Sequence, residues 1–253
     1  MLGADRAYLY KRTERGDLYL YIYLPESWHP SDRRAGIVFF FGGGWWGGTS
    51  KQFARQAAYL AQKGMVAVCA DYRVYRRHWV KPDACVEDAK SAVRWLRVHA
   101  SLLGLDSERL AAGGGSAGAH IAACAGLVPG FEAVGEDLSV SSVPNALVLF
   151  NPPLDVRMGT PLGERFGPDL GERLSLPNYV RPGLPPTLIL HGTEDAVVPF
   201  SQVKSFVEQM RAVGDRAELF EASGQGHGFF NNSPWLERTL QEVKAFLSSL
   251  GYL

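Results

Sequence analysis

Arg109-Leu110-Ala111-Ala112-Gly113-Gly114-Gly115-Ser116-Ala117-Gly118-Ala119-His120 is the stretch around which the chain is organised. A short apolar run ends in glycines, a serine sits among them, and a small-residue helical pattern follows at once. Gly114, Gly115, Ser116, Ala117 and Gly118 spell G-x-S-x-G, the pattern of a strand-to-helix turn so tight that only small residues fit around the serine. Such a turn lifts the hydroxyl above a sheet and aims the unpaired N–H groups at the head of the helix toward whatever the serine attacks. A chain with 28 glycines can hold such a pentapeptide by accident, so its surroundings must decide.

Upstream, Ile37-Val38-Phe39-Phe40-Phe41 is a continuous apolar run and reads as a buried central strand ending in Gly42-Gly43-Gly44-Trp45-Trp46-Gly47-Gly48. Thr49 or Ser50 then caps an expected amphipathic helix to about Lys63, with Phe53, Ala57, Leu60 and Ala61 on one face. Met65–Ala70 is another buried strand, and a helix is expected from about Pro82 to Leu103. Beyond the Ser116 turn come strands at Ala146–Phe150, Thr187–Leu190 and 217–221, with helices at 199–213 and 234–249. Before all of these, Tyr8-Leu9-Tyr10 and Leu18–Leu24 flank the polar Thr13–Asp17 and read as an edge hairpin. Strands alternating with helices predict an α/β fold in one domain over residues 1–253. Its central sheet is mostly parallel, with an antiparallel N-terminal edge and helices on both faces. Pro153–Pro186 breaks the rhythm with seven prolines, scattered charges and one weak helical patch near Leu170–Leu176. Lying between two strands whose carboxyl ends face the site, it reads as a short lid or substrate-binding insert, a surface loop being the alternative.

Lys plus Arg and Asp plus Glu both number 26, which gives no charge excess to recruit nucleic acid or an anionic membrane. The expected partner is a small or neutral molecule. Cys69, Cys85 and Cys124 have no metal-ligand spacing and read as small buried hydrophobes. No apolar run approaches the roughly 18–20 residues of a membrane span. Met1–Arg6 lacks a signal-peptide core, so the expected compartment is the cytoplasm, or a secreted or periplasmic one if a leader has been removed.

Gly42-Gly43-Gly44-Trp45-Trp46-Gly47 also fits the dinucleotide fingerprint G-x-G-x-x-G, with Asp71 further on. Two adjacent tryptophans are awkward where a pyrophosphate must meet bare backbone, and a hairpin precedes the supposed first strand. A glycine loop that supplies N–H donors to an oxyanion explains more. A serine nucleophile needs a base, and the base an orienting acid, in the chain order Ser, acid, His. After Ser116 the histidines are His120, His191 and His227. His120 is one helical turn past the serine and reads as structural, and His191 ends a strand and is expected to pack locally. His227 lies in the glycine-rich loop Ser223–Phe230, which can present an imidazole to a cleft. The acid is read as Asp195, ahead of its neighbour Glu194.

Gly-Gly-Gly-Trp after a strand, Gly-Gly-Ser-Ala-Gly-Ala-His, His-Gly-Thr-Glu-Asp and Gly-His-Gly-Phe-Phe together resemble an α/β-hydrolase esterase from about Ile37 onward. The chain is most similar to hormone-sensitive-lipase-like esterases and to feruloyl and acetylxylan esterases. That resemblance implies a Ser116, Asp195 and His227 triad, an oxyanion hole from the N–H groups of Gly43, Gly44 and Ala117, and no metal or cofactor. The implied activity is a serine carboxylesterase working on short acyl or small aromatic esters, acylated carbohydrates among them, through an acyl-enzyme. The family loop usually begins with histidine where this chain has Phe41, and a phenyl ring can only pack there. Trp45, Trp46, Tyr72 and Phe229 are candidate substrate walls, ordinary aromatic packing being the alternative for each. Two other functions fit the same residues: an arylformamidase resembling kynurenine formamidase, and a non-catalytic hydrolase-fold binding protein.

Overall fold

The computed structural model describes residues 3–253. Met1 and Leu2, the start of the stretch read for a leader, lie outside the described residues. In chain order the elements are β1 (Arg6–Thr13), β2 (Gly16–Tyr23), β3 (Arg34–Phe40), α1 (Ala54–Gln62), β4 (Val66–Ala70), α2 (Tyr75–His78), α3 (Pro82–Val98) and α4 (Ala100–Leu103). They continue with β5 (Leu105–Gly115), α5 (Ala117–Leu127), β6 (Ala146–Phe150), α6 (Pro168–Leu174), β7 (Thr187–Gly192), α7 (Phe200–Ala212), β8 (Ala217–Ala222) and α8 (Trp235–Ser249).

The eight strands form one sheet in the order β1-β2-β4-β3-β5-β6-β7-β8. β1 and β2 pair antiparallel, and β2 meets β4 antiparallel; from β4 across to β8 every pairing is parallel. This is the α/β-hydrolase sheet, with the expected antiparallel edge. Because side chains alternate across a strand, Val38 and Phe40 pack with Val86, Ala89 and Val93 of α3 and Ile121 of α5. Ile37 and Phe39 point the other way, onto Ala57 and Leu60 of α1 and Val243, Phe246 and Leu247 of α8. Both faces are therefore covered, as continuous apolar parallel strands require.

Two helices differ from the reading. The one expected from Thr49 or Ser50 opens as a 3₁₀ turn, Ser50–Phe53, and Thr49 makes no side-chain cap; Gln52 of that turn instead holds a backbone N–H of the glycine loop. The helix expected over 82–103 ends at Val98, and α4 stops at Gly104 with φ +59°. The three cysteines are buried and unbridged, and burial pushes each thiol up from its ordinary pKa. Among the described residues no helix is long and apolar enough to cross a membrane, and no group of His, Cys, Asp or Glu could hold a metal ion.

The proline-rich stretch between β6 and β7 folds as a 3₁₀ turn at Gly163–Arg165, then α6, then a second 3₁₀ turn at Leu176–Tyr179. Leu154, Val156, Phe166, Leu174 and Leu176 are among its buried side chains. The buried His120 of α5 donates from Nε2 to the Leu174 carbonyl at 2.9 Å, which ties the insert to the helix behind Ser116. Desolvation lowers the pKa of His120 to about 4, against that hydrogen bond, and keeps it neutral.

Candidate active site

β5 ends at Gly115 and α5 begins at Ala117, so Ser116 occupies the turn itself, at φ +52° and ψ −119°. That conformation costs an L-residue on the order of 1–3 kcal/mol and needs support from its surroundings. The support is visible: the Ser116 N–H donates to the Phe150 carbonyl at 2.8 Å, and the Ser116 carbonyl accepts from His120 N–H at 3.0 Å. Sterics fix the neighbours as well. An added Cβ at Gly114 would lie 2.3 Å from the Phe40 carbonyl oxygen, and one at Gly118 only 2.1 Å from it.

The loops after β7 and β8 bring the other two residues to the same end of the sheet, the carboxyl ends of its parallel strands. His227 Nε2 stands 2.9 Å from Ser116 Oγ, and His227 Nδ1 stands 2.7 Å from Asp195 Oδ2. Three residues separated by 79 and 32 positions are thus joined in one hydrogen-bonded line. Asp195 Oδ1 accepts the N–H groups of Val197 and Val198, each at 2.9 Å. Burial would raise the Asp195 pKa, but the hydrogen bonds from His227 and from these two N–H groups outweigh it and hold the carboxyl below its ordinary value. An ionised acceptor there fixes the imidazole with its proton on Nδ1 and leaves Nε2 free to take the serine proton. Glu194 is exposed to solvent, and Asp195 is the carboxylate that meets His227. His191 is fully buried, donates from Nε2 to the Val198 carbonyl at 3.0 Å and packs locally.

The glycine loop is clamped along its length. Tyr72 Oη donates to the Phe41 carbonyl at 2.6 Å while its ring stacks on the Phe41 ring at 4.1 Å. Gln52 Oε1 accepts Gly42 N–H at 2.6 Å, Arg165 Nη1 donates to the Gly44 carbonyl at 2.7 Å, and Arg77 Nη1 donates to that of Gly48 at 2.6 Å. Phe41 therefore does what a phenyl ring can, which is to pack; Gln52, Tyr72, Arg165 and Arg77 supply the hydrogen bonds that hold the loop. Gly43 and Gly44 sit at φ +131° and +63°, and their N–H groups donate to no protein acceptor among the described residues. Ala117 opens α5, where an N–H has no acceptor within the helix.

Residues 20–210 match the BD-FAE family. The chain belongs to that family. Over its whole length this BD-FAE chain is also similar to Thermogutta terrifontis esterase 2, with 47% identity, a TM-score of 0.95, and 99% of this chain and 96% of that one covered. The same esterase has been solved with propionate bound, with butyrate bound, and phosphorylated by paraoxon. Esterase LipC of Mycobacterium tuberculosis is 31% identical over 190 residues, 67% of this chain and 46% of LipC. Isoprenylcysteine alpha-carbonyl methylesterase ICME of Arabidopsis thaliana is 28% identical over 190 residues, 66% of this chain and 44% of ICME. The BD-FAE chain thus spans about half the length of these two curated relatives.

The BD-FAE chain opens a cleft of about 690 Å³ over Ser116 and His227, walled by the glycine loop, Trp46, Leu162, Arg165, Val197 and Phe230. Of the four aromatic walls expected, Trp46 alone reaches it, half-exposed and stacked on Tyr75 at 4.3 Å. Trp45 turns inward at 3% exposure, edge-on to His120 and Phe166, and touches only a side recess. Tyr72 is fully buried behind the loop that it holds. Phe229 packs edge-on against Trp235 and Phe230, and Phe230 is the one that faces the cleft. The short 3₁₀ turn Phe229–Asn231 sends consecutive side chains in different directions, so the Phe-Phe pair carried the signal but not which ring would serve. Leu162, Arg165 and Gln52 had no motif to mark them.

Proposed function

We propose that the protein is a serine carboxylesterase that hydrolyses short-chain acyl or small aromatic esters through an acyl-enzyme. The observation that carries this reading is the line Ser116 Oγ to His227 Nε2 to Asp195 Oδ2, at 2.9 and 2.7 Å, assembled from three loops at one end of the sheet. His227 takes the Ser116 proton as Oγ bonds to the ester carbonyl carbon, and the carbonyl electron pair moves onto its oxygen. The oxygen then lies against the N–H groups of Gly43, Gly44 and Ala117, each worth about 3–4 kcal/mol to the transition state. Collapse breaks the bond to the alcohol, which leaves with the proton from His227. Water, activated by the same imidazole, then releases the acyl group and restores Ser116.

The propionate and butyrate bound by the Thermogutta terrifontis esterase support a short acyl group. We read residues 153–186 as a substrate-binding insert, since Leu162 and Arg165 of this segment form part of the cleft wall. Hydrolysis of p-nitrophenyl esters from acetate to decanoate, by wild type and S116A, tests the proposal. Activity should peak at chains of about two to four carbons and fall by three orders of magnitude or more in S116A. A fluorophosphonate probe should label the wild type and spare S116A. A folded wild type that neither turns over these esters nor takes the label is a binding protein instead.

A further inference from the structure

Asn151 follows the last residue of β6 and is absent from any motif in the chain, yet the loops that carry Asp195 and His227 both bond to it. It is fully buried, and its backbone sits at φ +48°, a left-handed conformation that asparagine tolerates better than most residues. Its own N–H donates to the Leu190 carbonyl of β7 at 2.9 Å, just before the loop that carries Asp195. Its predecessor Phe150 accepts the Ser116 N–H at 2.8 Å. Its side chain spans the gap: Nδ2 donates to Asp195 Oδ2 at 2.8 Å, and Oδ1 accepts Gly228 N–H, next to His227, at 3.3 Å. The amide orientation is forced, because an ionised carboxylate can only accept and a backbone N–H can only donate.

We infer that Asn151 is a positioning residue that sets Asp195 against His227, and through it the imidazole against Ser116. Asp195 Oδ2 serves two donors, His227 Nδ1 and Asn151 Nδ2, while Oδ1 serves Val197 and Val198. Without the Asn151 donor, Oδ2 keeps only the hydrogen bond from His227, and the carboxylate can turn about its Cβ–Cγ bond. Misplacement of about 1 Å in such a chain costs up to about 100-fold in rate. The same amide ties Gly228 to β6, so the acid and base loops are held by one side chain. The titratable groups that face Asp195 are His227 and the buried His191, whose Nε2 lies 3.4 Å from Oδ2.

This inference rests on the triad reading, and the test separates the two. Steady-state hydrolysis of p-nitrophenyl butyrate is measured for wild type, N151G and N151D from about pH 5 to 9, with thermal unfolding in parallel. N151G keeps the left-handed backbone and removes the side chain. It should lower kcat about 10- to 100-fold while KM changes less than about twofold. N151D keeps the size and the acceptor toward Gly228, but it can donate to Asp195 only while the two carboxyls share a proton. Its activity relative to wild type should therefore be highest at the acid end and fall as pH rises and that proton leaves, whereas the N151G deficit should stay level. Folded N151G with kcat within twofold of wild type overturns the inference. So does a deficit in N151D that is the same at every pH, or failure of both variants to fold, which makes the residue structural. A wild type that neither hydrolyses ester nor reacts with a fluorophosphonate counts against the esterase reading instead.

Discussion

At Gly118, under the serine, an added Cβ would stand 2.1 Å from the Phe40 carbonyl oxygen; at Gly159, in the insert, it would meet nothing within 4 Å. The floor of the cleft and its rim differ in this way throughout. The floor is backbone packed on backbone, where the elbow, β3 and β6 leave no room and the strained Ser116 is held by bonds on both sides. The rim is built from side chains on the surface: Trp46 stacked on Tyr75, Leu162, and Arg165 with its single bond to Gly44. On the proposed mechanism the floor must keep its geometry for Ser116 to react, whereas a change at the rim alters only which ester is held. His120 joins the two, since it lies on the elbow helix and donates to Leu174 of the insert.

The comparison breaks if the floor tolerates change. G118A should be the most damaging substitution, because the contact is with backbone that has nowhere to move. Overpacking of this kind costs about 3 kcal/mol or more, a fall in Tm on the order of 10 °C, and calorimetry will read it. An unchanged Tm would mean that the elbow is looser than it looks.

The link between floor and rim should fail in acid. His120 has a folded pKa of about 4, below the ordinary value near 6.5, so the native state resists a proton that the unfolded chain accepts. Its contribution is complete above about pH 6.5 and is lost progressively as pH falls toward 4, by roughly 3 kcal/mol at about 1.4 kcal/mol per unit. H120Q, which cannot be protonated, should flatten the fall of Tm between pH 7 and 4.5. An equally steep fall in H120Q would place the acid sensitivity elsewhere.

A smaller effect is expected where the glycine loop meets the wall. Q52A removes the acceptor for Gly42 N–H and the partner of Asn231 Oδ1, and leaves the three other clamps on the loop. One such bond is worth about 1 kcal/mol, so kcat should fall about 5- to 10-fold with KM little changed. The smallest change belongs to the rim. R165A loses one exposed bond to the Gly44 carbonyl, and KM for p-nitrophenyl butyrate should move by about threefold or less, with Tm unaltered. A larger loss of kcat than in Q52A would make the insert part of the catalytic floor.

The elbow, the order of strands and helices, and the candidate triad residues Ser116, Asp195 and His227 were all legible in the chain, because local sterics and strand periodicity write them in consecutive residues. No residue larger than glycine fits at Gly114 or Gly118, and the continuous apolar run Ile37–Phe41 reads as a strand covered on both faces, which β3 is as far as Phe40. Four aromatics looked alike as cleft walls, but one, Trp46, became a wall. Which way a ring turns depends on its tertiary partners, two of them distant in sequence: Phe41 for Tyr72 and Phe166 for Trp45, with the nearby Trp235 for Phe229. The supports of the site were hidden for the same reason. Gln52 meets Gly42 and Asn231, and Asn151 meets Asp195 and Gly228, across separations of up to 179 residues. A single amide side chain carries no periodicity and no motif. By itself, then, the sequence determined the elbow that presents Ser116 and the sheet beneath it. Only the tertiary structure decided which side chains hold the loops in register and which ring faces the cleft, because packing across the sheet, and not spacing along the chain, selects them.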